Sequence, residues 1–333
     1  MASLTSEQLD LILTRDIVPM TFPPAADERE PTLTLLHVPR GSGAARATAR
    51  LASTRPAQAV LSAADLRAFH PSFEEARGAG SERARSEVDA AVAEWFRACL
   101  VYARGNHRSL LIEGPFMTPA TAAGTAQGFA DAGFATRVAV VATSRAEALL
   151  TTMSVHLRSM RAQRPEPLPS RKARERDWES TGDLVAAMAD SAAVGRAIVI
   201  GRSGEVEANV THGDPGGSAA VGAALRAAQE RPLTALLAAQ WLSELRRMTD
   251  FIDSRREPMV EVREALVELH VLGIREIVPR LPVPAGSEVV SREERRLSAE
   301  LVRLRRSIPT AERPDATGPV VAGPSQGPEG PSR

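Results

Sequence analysis

Among 41 basic residues the chain carries one lysine, Lys172; it also has one cysteine, Cys99, one tyrosine, and aromatic residues at only 4%. A single cysteine excludes an internal disulfide and any cysteine-based zinc cluster. A single lysine means that any mechanism requiring an ammonium group must use Lys172, because an arginine is not equivalent in shape. The 41 acidic residues balance the 41 basic ones, so there is no electrostatic case for nucleic acid or an acidic membrane as partner. No apolar run approaches the ~18–20 residues needed to span a bilayer. The first residues, MASLTSEQLDLILTRD, lack a basic segment followed by an unbroken apolar core, so no signal peptide is expected and a cytoplasmic location follows. Six histidines are scattered without an H-x-x-x-H or H-E-x-x-H pair, which gives no zinc site.

What is present is an ordinary globular composition, 43% hydrophobic and 25% charged over 333 residues, enough for one large domain or two smaller ones. Residues 6–15 carry Leu9, Ile12 and Leu13 at helical spacing with Ser6 as N-cap, and a Pro-rich stretch over 19–31 follows. Strands are expected at Thr32–Val38, Gln58–Ser62, Ser109–Glu113, Ala135–Ala142 and Ala197–Gly201, the last of them closed by a turn at Arg202–Glu205. Helices are expected after the first strand and at Ala63–Phe69, Glu82–Gly105, Ala120–Ala132 and Ala146–Arg161, with a polar mobile loop running into a helix start over 162–178. This alternation predicts an α/β fold, an open parallel sheet flanked by helices. Beyond residue 215 helices are expected at 218–230, 233–253, 258–272 and 291–306, the last opened by a Ser291/Glu294 capping box. Its RLRR at 303–306 is read either as a solvated charged face or as part of a partner-binding helix with a Leu297, Leu301, Leu304 stripe. Residues 307–333, rich in Pro, Gly and Ser, are expected to be disordered.

The segment HVPRGSGAAR, a Gly turn between a strand and a helix, stands where a mononucleotide fold places its phosphate loop. Such loops work because successive backbone N–H groups and a helix N-terminus point at the phosphates. In G-x-x-x-x-G-K-[ST] a lysine reaches the β/γ-phosphates and a hydroxyl holds magnesium. With the last Gly on Gly43, Val38 takes the first Gly position, Ala44 the Lys and Ala45 the Ser/Thr. Arg40, Gly41, Ser42, Gly43 and Arg46 are what remains to contact a nucleotide. A tight strand-to-helix turn explains the GSG equally well.

The order of the following segments resembles the zeta-toxin family, P-loop kinases that phosphorylate UDP-N-acetylglucosamine with ATP and magnesium. It is carried over residues 6–210 by ILTRDIVP, the loop above, VLSAADLRAFHPSFEE, LLIEGPFMTP, GFADAGFATRVAVVA and GRAIVIGRSGEVEAN. The resemblance implies a P-loop kinase-like domain over 32–210, preceded by an N-terminal helix and linker (1–31) and followed by a helical extension (211–306) and a tail (307–333). It implies ATP and Mg2+ as cofactors if the activity is retained; none is certain otherwise. An antitoxin or other protein and a UDP-sugar are the implied partners.

The family's reacting positions are largely replaced. Counting back from His70 and Pro71, the D-x-D carrying the general base falls on Ser62 and Ala64, with Asp65 one residue out of register. Glu113 and Gly114 match the EGT motif while Pro115 replaces its Thr. The two arginines that neutralise the transferred phosphate fall on Val155 and Pro167, and the following His-Asp on Arg174 and Glu175; a small gap would bring Arg158, Arg161 or Arg164 into register. Each lost stabilising group typically costs ~10²–10³ in rate. Three readings follow. The first is a catalytically inactive pseudokinase that binds a nucleotide, UDP-sugar or protein, with His70, Glu113 and Gly114 toward the substrate. The second is a working kinase with a displaced site, Asp65 as base, Glu113 beside it and Arg40 or Arg46 on the phosphates. The third is an interaction module in 218–306 on a kinase-like platform.

Overall fold

Thr32–His37 (β1) is buried along its whole length, as a strand must be when both of its faces and both of its edges are covered. It sits at the centre of the sheet in a computed structural model that describes residues 4–24, 30–55, 57–78, 81–114, 118–162, 168–255, 259–284 and 286–308. Before it run α1 (Ser6–Ile12), a π-helical turn (Leu13–Ile17) and α2 (Val18–Thr21). The helix is capped by Thr5 rather than Ser6, in a reciprocal box with Gln8, and it continues past residue 15. Pro19 supplies no N–H, and the Val18 N–H reaches Leu13 O instead, so the ladder widens for one turn.

After β1 come α3 (Ala45–Ser53), β2 (Ala59–Ser62), α4 (Ala63–Arg67), α5 (Phe73–Ala76), α6 (Glu82–Gly105), β3 (Leu110–Gly114), α7 (Pro119–Ala130), β4 (Ala135–Val141) and α8 (Arg145–Arg161). Then follow α9 (Arg171–Asp190), β5 (Arg196–Ile200), β6 (Val206–Thr211), α10 (Gly217–Glu230), α11 (Ala235–Asp253), α12 (Val260–Leu272) and α13 (Glu288–Ser307). The sheet order is β2-β3-β1-β4-β5-β6. The first five strands are parallel, and β6 runs antiparallel to β5.

Three expectations are corrected. The strand at 197–201 is not the last: the turn after it reverses the chain through Gly201 N–H to Glu205 O at 2.8 Å, and the half-exposed VEANVT becomes an edge strand. The helix start expected within 162–178 falls at Arg171, behind a Ser170 cap; residues 163–167, with Arg164 and Pro167, lie outside the described ones. The final helix starts at Glu288 under Ser287, not at Ser291, and its Leu297 and Leu304 are buried, so that stripe is core rather than a free docking face. Pro115 and residues 309–333 lie outside the described residues, and with them the expected disordered tail.

Two cores result. One face of the sheet packs on α6, α7, α9, α10 and the N-terminal helices, around Leu33, Leu35, Trp95, Ile112, Phe129 and Val199; Trp95 donates its indole N–H to Leu9 O at 3.0 Å. Cys99 lies here, and burial pushes its thiol up to about 12, so it is an inert packing group. The second core joins Ala146, Leu149, Met153 and Leu157 of α8 to α11, α12 and α13. Trp241 of α11 donates to Ala146 O at 3.1 Å. The C-terminal helices therefore bury the outer face of α8 rather than forming a detached module. A smaller cluster under α3, with Ala47 and Leu51 against Leu36, Leu111 and Val141, closes the opposite face of the sheet.

Candidate functional site

Parallel strands present their carboxyl ends on one edge, where open α/β sheets bind ligands. Here that edge gathers the loop after β1, Ser62 after β2, Glu113 and Gly114 on β3, Thr143 and Ser144 after β4, and Gly201 and Arg202 after β5. Glu113 lies in register with Ser62 on one side and Leu36 on the other, so the residues singled out by sequence do meet here. His70 is the exception.

The loop 38–44 is held by its own chain. Ser42 donates its Oγ–H to Pro39 O at 2.6 Å and its N–H to the same carbonyl at 3.0 Å; the hydroxyl points inward and is no nucleophile. Gly41 has φ 79°, and a Cβ there would overlap the Ala148 carbonyl of α8 and lie 2.7 Å from Thr152 Oγ1. Close packing on α8 thus accounts for this glycine without a phosphate. Gly43, at φ 75°, has open space around it. The first turn of α3 that follows has no side-chain cap, so an uncapped helix N-terminus faces a cleft of about 570 Å³ bounded by Ser42, Gly43, Arg46, Arg202 and Leu237. Ala45 brings a methyl group to its rim and Ala44 holds only another methyl beside it.

Most charged groups of this edge are paired; Arg46, exposed at the cleft, forms no ion pair among the described residues. Arg40 Nε donates to Asp177 of α9 at 2.9 Å. Glu113 accepts the Thr48 hydroxyl of α3 at 2.6 Å. Asp65 accepts from the Ser62 hydroxyl at 2.7 Å while its own N–H donates to that oxygen at 3.0 Å, so it completes the cap of α4. Arg202 pairs with the buried Glu147; its guanidinium pKa is lowered, first by burial and then by the charge of Arg46. Across the cleft Arg231 holds Glu207 at 2.5 Å.

His70 sits buried away from this edge. Its Nδ1 accepts from Ser72 N–H at 3.1 Å and its ring lies 6.1 Å from Trp95. Desolvation holds its pKa below the ordinary value, against the charge of Glu87. Those neighbours are the ones a packed side chain has. His37, at the end of β1, is buried 3.4 Å from the Thr181 hydroxyl, and desolvation lowers its pKa to about 4.

The positions where resemblance puts phosphate-neutralising groups are engaged elsewhere. Val155 is exposed on α8. Arg174 bonds Glu268 of α12 at 3.3 Å, and Glu175 accepts from Arg145 at 2.9 Å and Arg171 at 2.8 Å. Arg158 and Arg161 lie about 15–20 Å along α8 from Ala148 at 1.5 Å per residue, too far down the helix to reach the loop. Lys172 is exposed on the first turn of α9. Thr48, Asp177, Glu147 and Glu268 carry no motif in the sequence, and only the fold brings them to this edge.

A magnesium nucleotide does not fit these residues as it fits a phosphate loop. Ala44 has no ammonium and Ala45 no hydroxyl, and among the described residues no three His, Cys, Asp or Glu side chains converge to hold a metal. The arrangement retains an anion-attracting helix end and a cleft lined by Arg46.

A five-stranded parallel order 2-3-1-4-5 with a glycine loop after the central strand defines a P-loop kinase-like fold. The zeta-toxin family model matches residues 21–207, more than half the chain, and the protein belongs to the zeta-toxin family. A solved structure from the PezAT chromosomal toxin-antitoxin system of Streptococcus pneumoniae aligns with a TM-score of 0.61 at 13% identity, covering 74% of this chain and 99% of that one. At that identity the likeness is one of fold. No curated protein matches the chain significantly. No helix among the described residues is long and apolar enough to cross a membrane.

Proposed function

We propose that this protein is a zeta-toxin-family member that has lost phosphoryl transfer and works in the cytoplasm by binding. One observation supports this above the rest. The polar side chains Arg40, Ser42, Asp65 and Glu113 are bonded within the chain, to Asp177, Pro39 O, Ser62 and Thr48, while Ala44 and Ala45 stand where a lysine and a magnesium hydroxyl would act. Transfer is mostly positioning and charge neutralisation. Losses within one catalytic unit do not add, yet loss of cation, metal ligand and base together leaves little above background. The cleft beside Gly43 is of a size that takes a small ligand, and a nucleotide or UDP-sugar held there without magnesium fits this reading. An antitoxin-like protein is the partner class that the family suggests.

A working kinase with a displaced site would need Asp65 released from the α4 cap to act as base; Arg40 is held by Asp177, which leaves Arg46, exposed at the cleft on the first turn of α3, as the cation for the phosphates. The deciding experiment incubates purified protein with ATP, magnesium and UDP-N-acetylglucosamine and follows phosphate transfer to the sugar. No transfer above the protein-free rate is expected. Transfer that is abolished by Glu113→Ala would overturn the proposal.

A further inference from the structure

Away from the sheet edge, the C-terminal half of α8 lies along α11. Ser154, Leu157, Arg158 and Arg161 fall at i, i+3, i+4 and i+7 and so share one face of α8. Glu244, Arg247, Met248 and Phe251 repeat the same spacing on α11. The two faces enclose a cleft of about 450 Å³ with Leu157 and Met248 at its base and Arg158, Arg161 and Arg247 on its walls. The lining carboxylate is Glu244, which bonds Ser154 Oγ at 2.9 Å and Arg247 at 2.5 Å.

Arg247 is thus paired with Glu244, while the guanidiniums of Arg158 and Arg161 are braced without an ion pair among the described residues. Arg158 Nε donates to Ser154 O at 3.2 Å, which fixes its stem and leaves its terminal amines outward. Arg161 stacks on Phe251 with 4.2 Å to the ring centroid, and Arg255 stacks on the same ring at 4.8 Å. Among the described residues Arg158, Arg161 and Arg255 form no ion pair. Elsewhere in the helical layer Arg246, Arg292, Arg296 and Arg303 have carboxylate partners, whereas Arg295, Arg305 and Arg306 also form no ion pair among the described residues but lie outside this cleft. In a chain of zero net charge, so concentrated an excess of cation is local, and it is set in a concavity rather than on a flat surface.

We propose that this α8–α11 cleft is a binding site for a small polyvalent oxyanion, a phosphate ester or a compact polycarboxylate. Arginine forks take such groups bidentately, and bracing them beforehand removes part of the entropy cost of binding. The volume is that of a small-molecule site, which favours a compact ligand over a protein segment. This site is separate from the cleft beside Gly43 and does not depend on the function proposed there.

The test is calorimetric titration of the full chain with inorganic pyrophosphate and with citrate at low and moderate salt. Wild type is compared with the pair Arg158→Gln/Arg247→Gln and with Arg46→Gln, which probes the loop cleft. Thermal melts check that the exposed substitutions leave the fold intact. The expected result is binding by one or both probes, weakened by salt and reduced about tenfold or more in the double variant, the loss of charge-assisted bonds, but kept in Arg46→Gln. Relative affinity for the two probes separates phosphate from carboxylate recognition. No binding by either, binding lost only in Arg46→Gln, or tighter binding of a glutamate-rich peptide than of both probes would each overturn the assignment.

Discussion

The two ends of α8 carry the same residue type in opposite electrostatic states. At the N-terminal end Arg145 is shared between Glu175 and Glu268 at 2.9 and 2.7 Å, and the neighbouring Arg40 and Arg174 are paired as well. At the C-terminal end Arg158 and Arg161 are held in place by Ser154 O and by Phe251 without a carboxylate among the described residues. An arginine near a phosphate loop is therefore no sign of a working loop by itself, because its charge can be spent on the surrounding helices. Arg158 and Arg161, more than three turns further along α8, form no ion pair among the described residues, and neither does Arg46 beside the loop.

The apolar middle of α8 joins these ends, and breaking it gives the largest effect. Met153 is fully buried between Leu149 and Leu157 in the core shared with α11 and α12. Met153→Ala is expected to cost about 2–5 kcal/mol of stability, measured by urea unfolding. If the C-terminal helices were an independent module, the loss would fall on one transition only; a shared core predicts that both halves weaken together.

A pH titration sharpens the loop end. His37 is buried beside α9 with its pKa lowered to about 4 from 6.5. The unfolded chain thus binds a proton below about pH 6.5 that the folded chain refuses until about pH 4, and stability falls as the pH falls through this window. The loss amounts to about 3 kcal/mol. His37→Asn should flatten that part of the stability-against-pH curve, as followed by unfolding at stepped pH. An unchanged slope would remove His37 from the account.

Charge removal contrasts the two ends directly. Glu268→Gln leaves Arg174, itself largely buried, without its carboxylate and loosens Arg145; a cost of about 1–3 kcal/mol is expected. Arg158→Gln at the far end removes an exposed cation with no ion pair among the described residues, and should change stability by less than about 0.5 kcal/mol. Equal costs in the two melts would mean that the ends are not electrostatically different.

The sequence made the scaffold legible because the strands TLTLLH, LLIEG and ATRVAVV are apolar runs bounded by turn residues, and because Glu82–Gly105 repeats its buried positions every three to four residues. Strand β6 was hidden since an edge strand, half exposed, alternates too weakly to announce itself. Of helix α9 only a start was legible, since RKARERDWES has no apolar stripe before Leu184; its first turns rest on the Ser170 cap and the Arg171–Glu175 pair. At the site the replaced positions Val38, Ala44, Ala45 and Ala64 could be read directly. Their consequence could not. The partners that occupy Arg40 and Glu113, Asp177 and Thr48, stand 137 and 65 residues away in the chain, and only the fold sets those pairs.

The central claim is that the phosphate-loop edge no longer recognises a magnesium nucleotide. Calorimetric titration of the full chain with ATP, with and without magnesium, tests it most directly. The account predicts heats that magnesium does not enhance, whether ATP binds weakly or not at all. Binding that requires magnesium would contradict it, because Ala44 and Ala45 would then not be disabling.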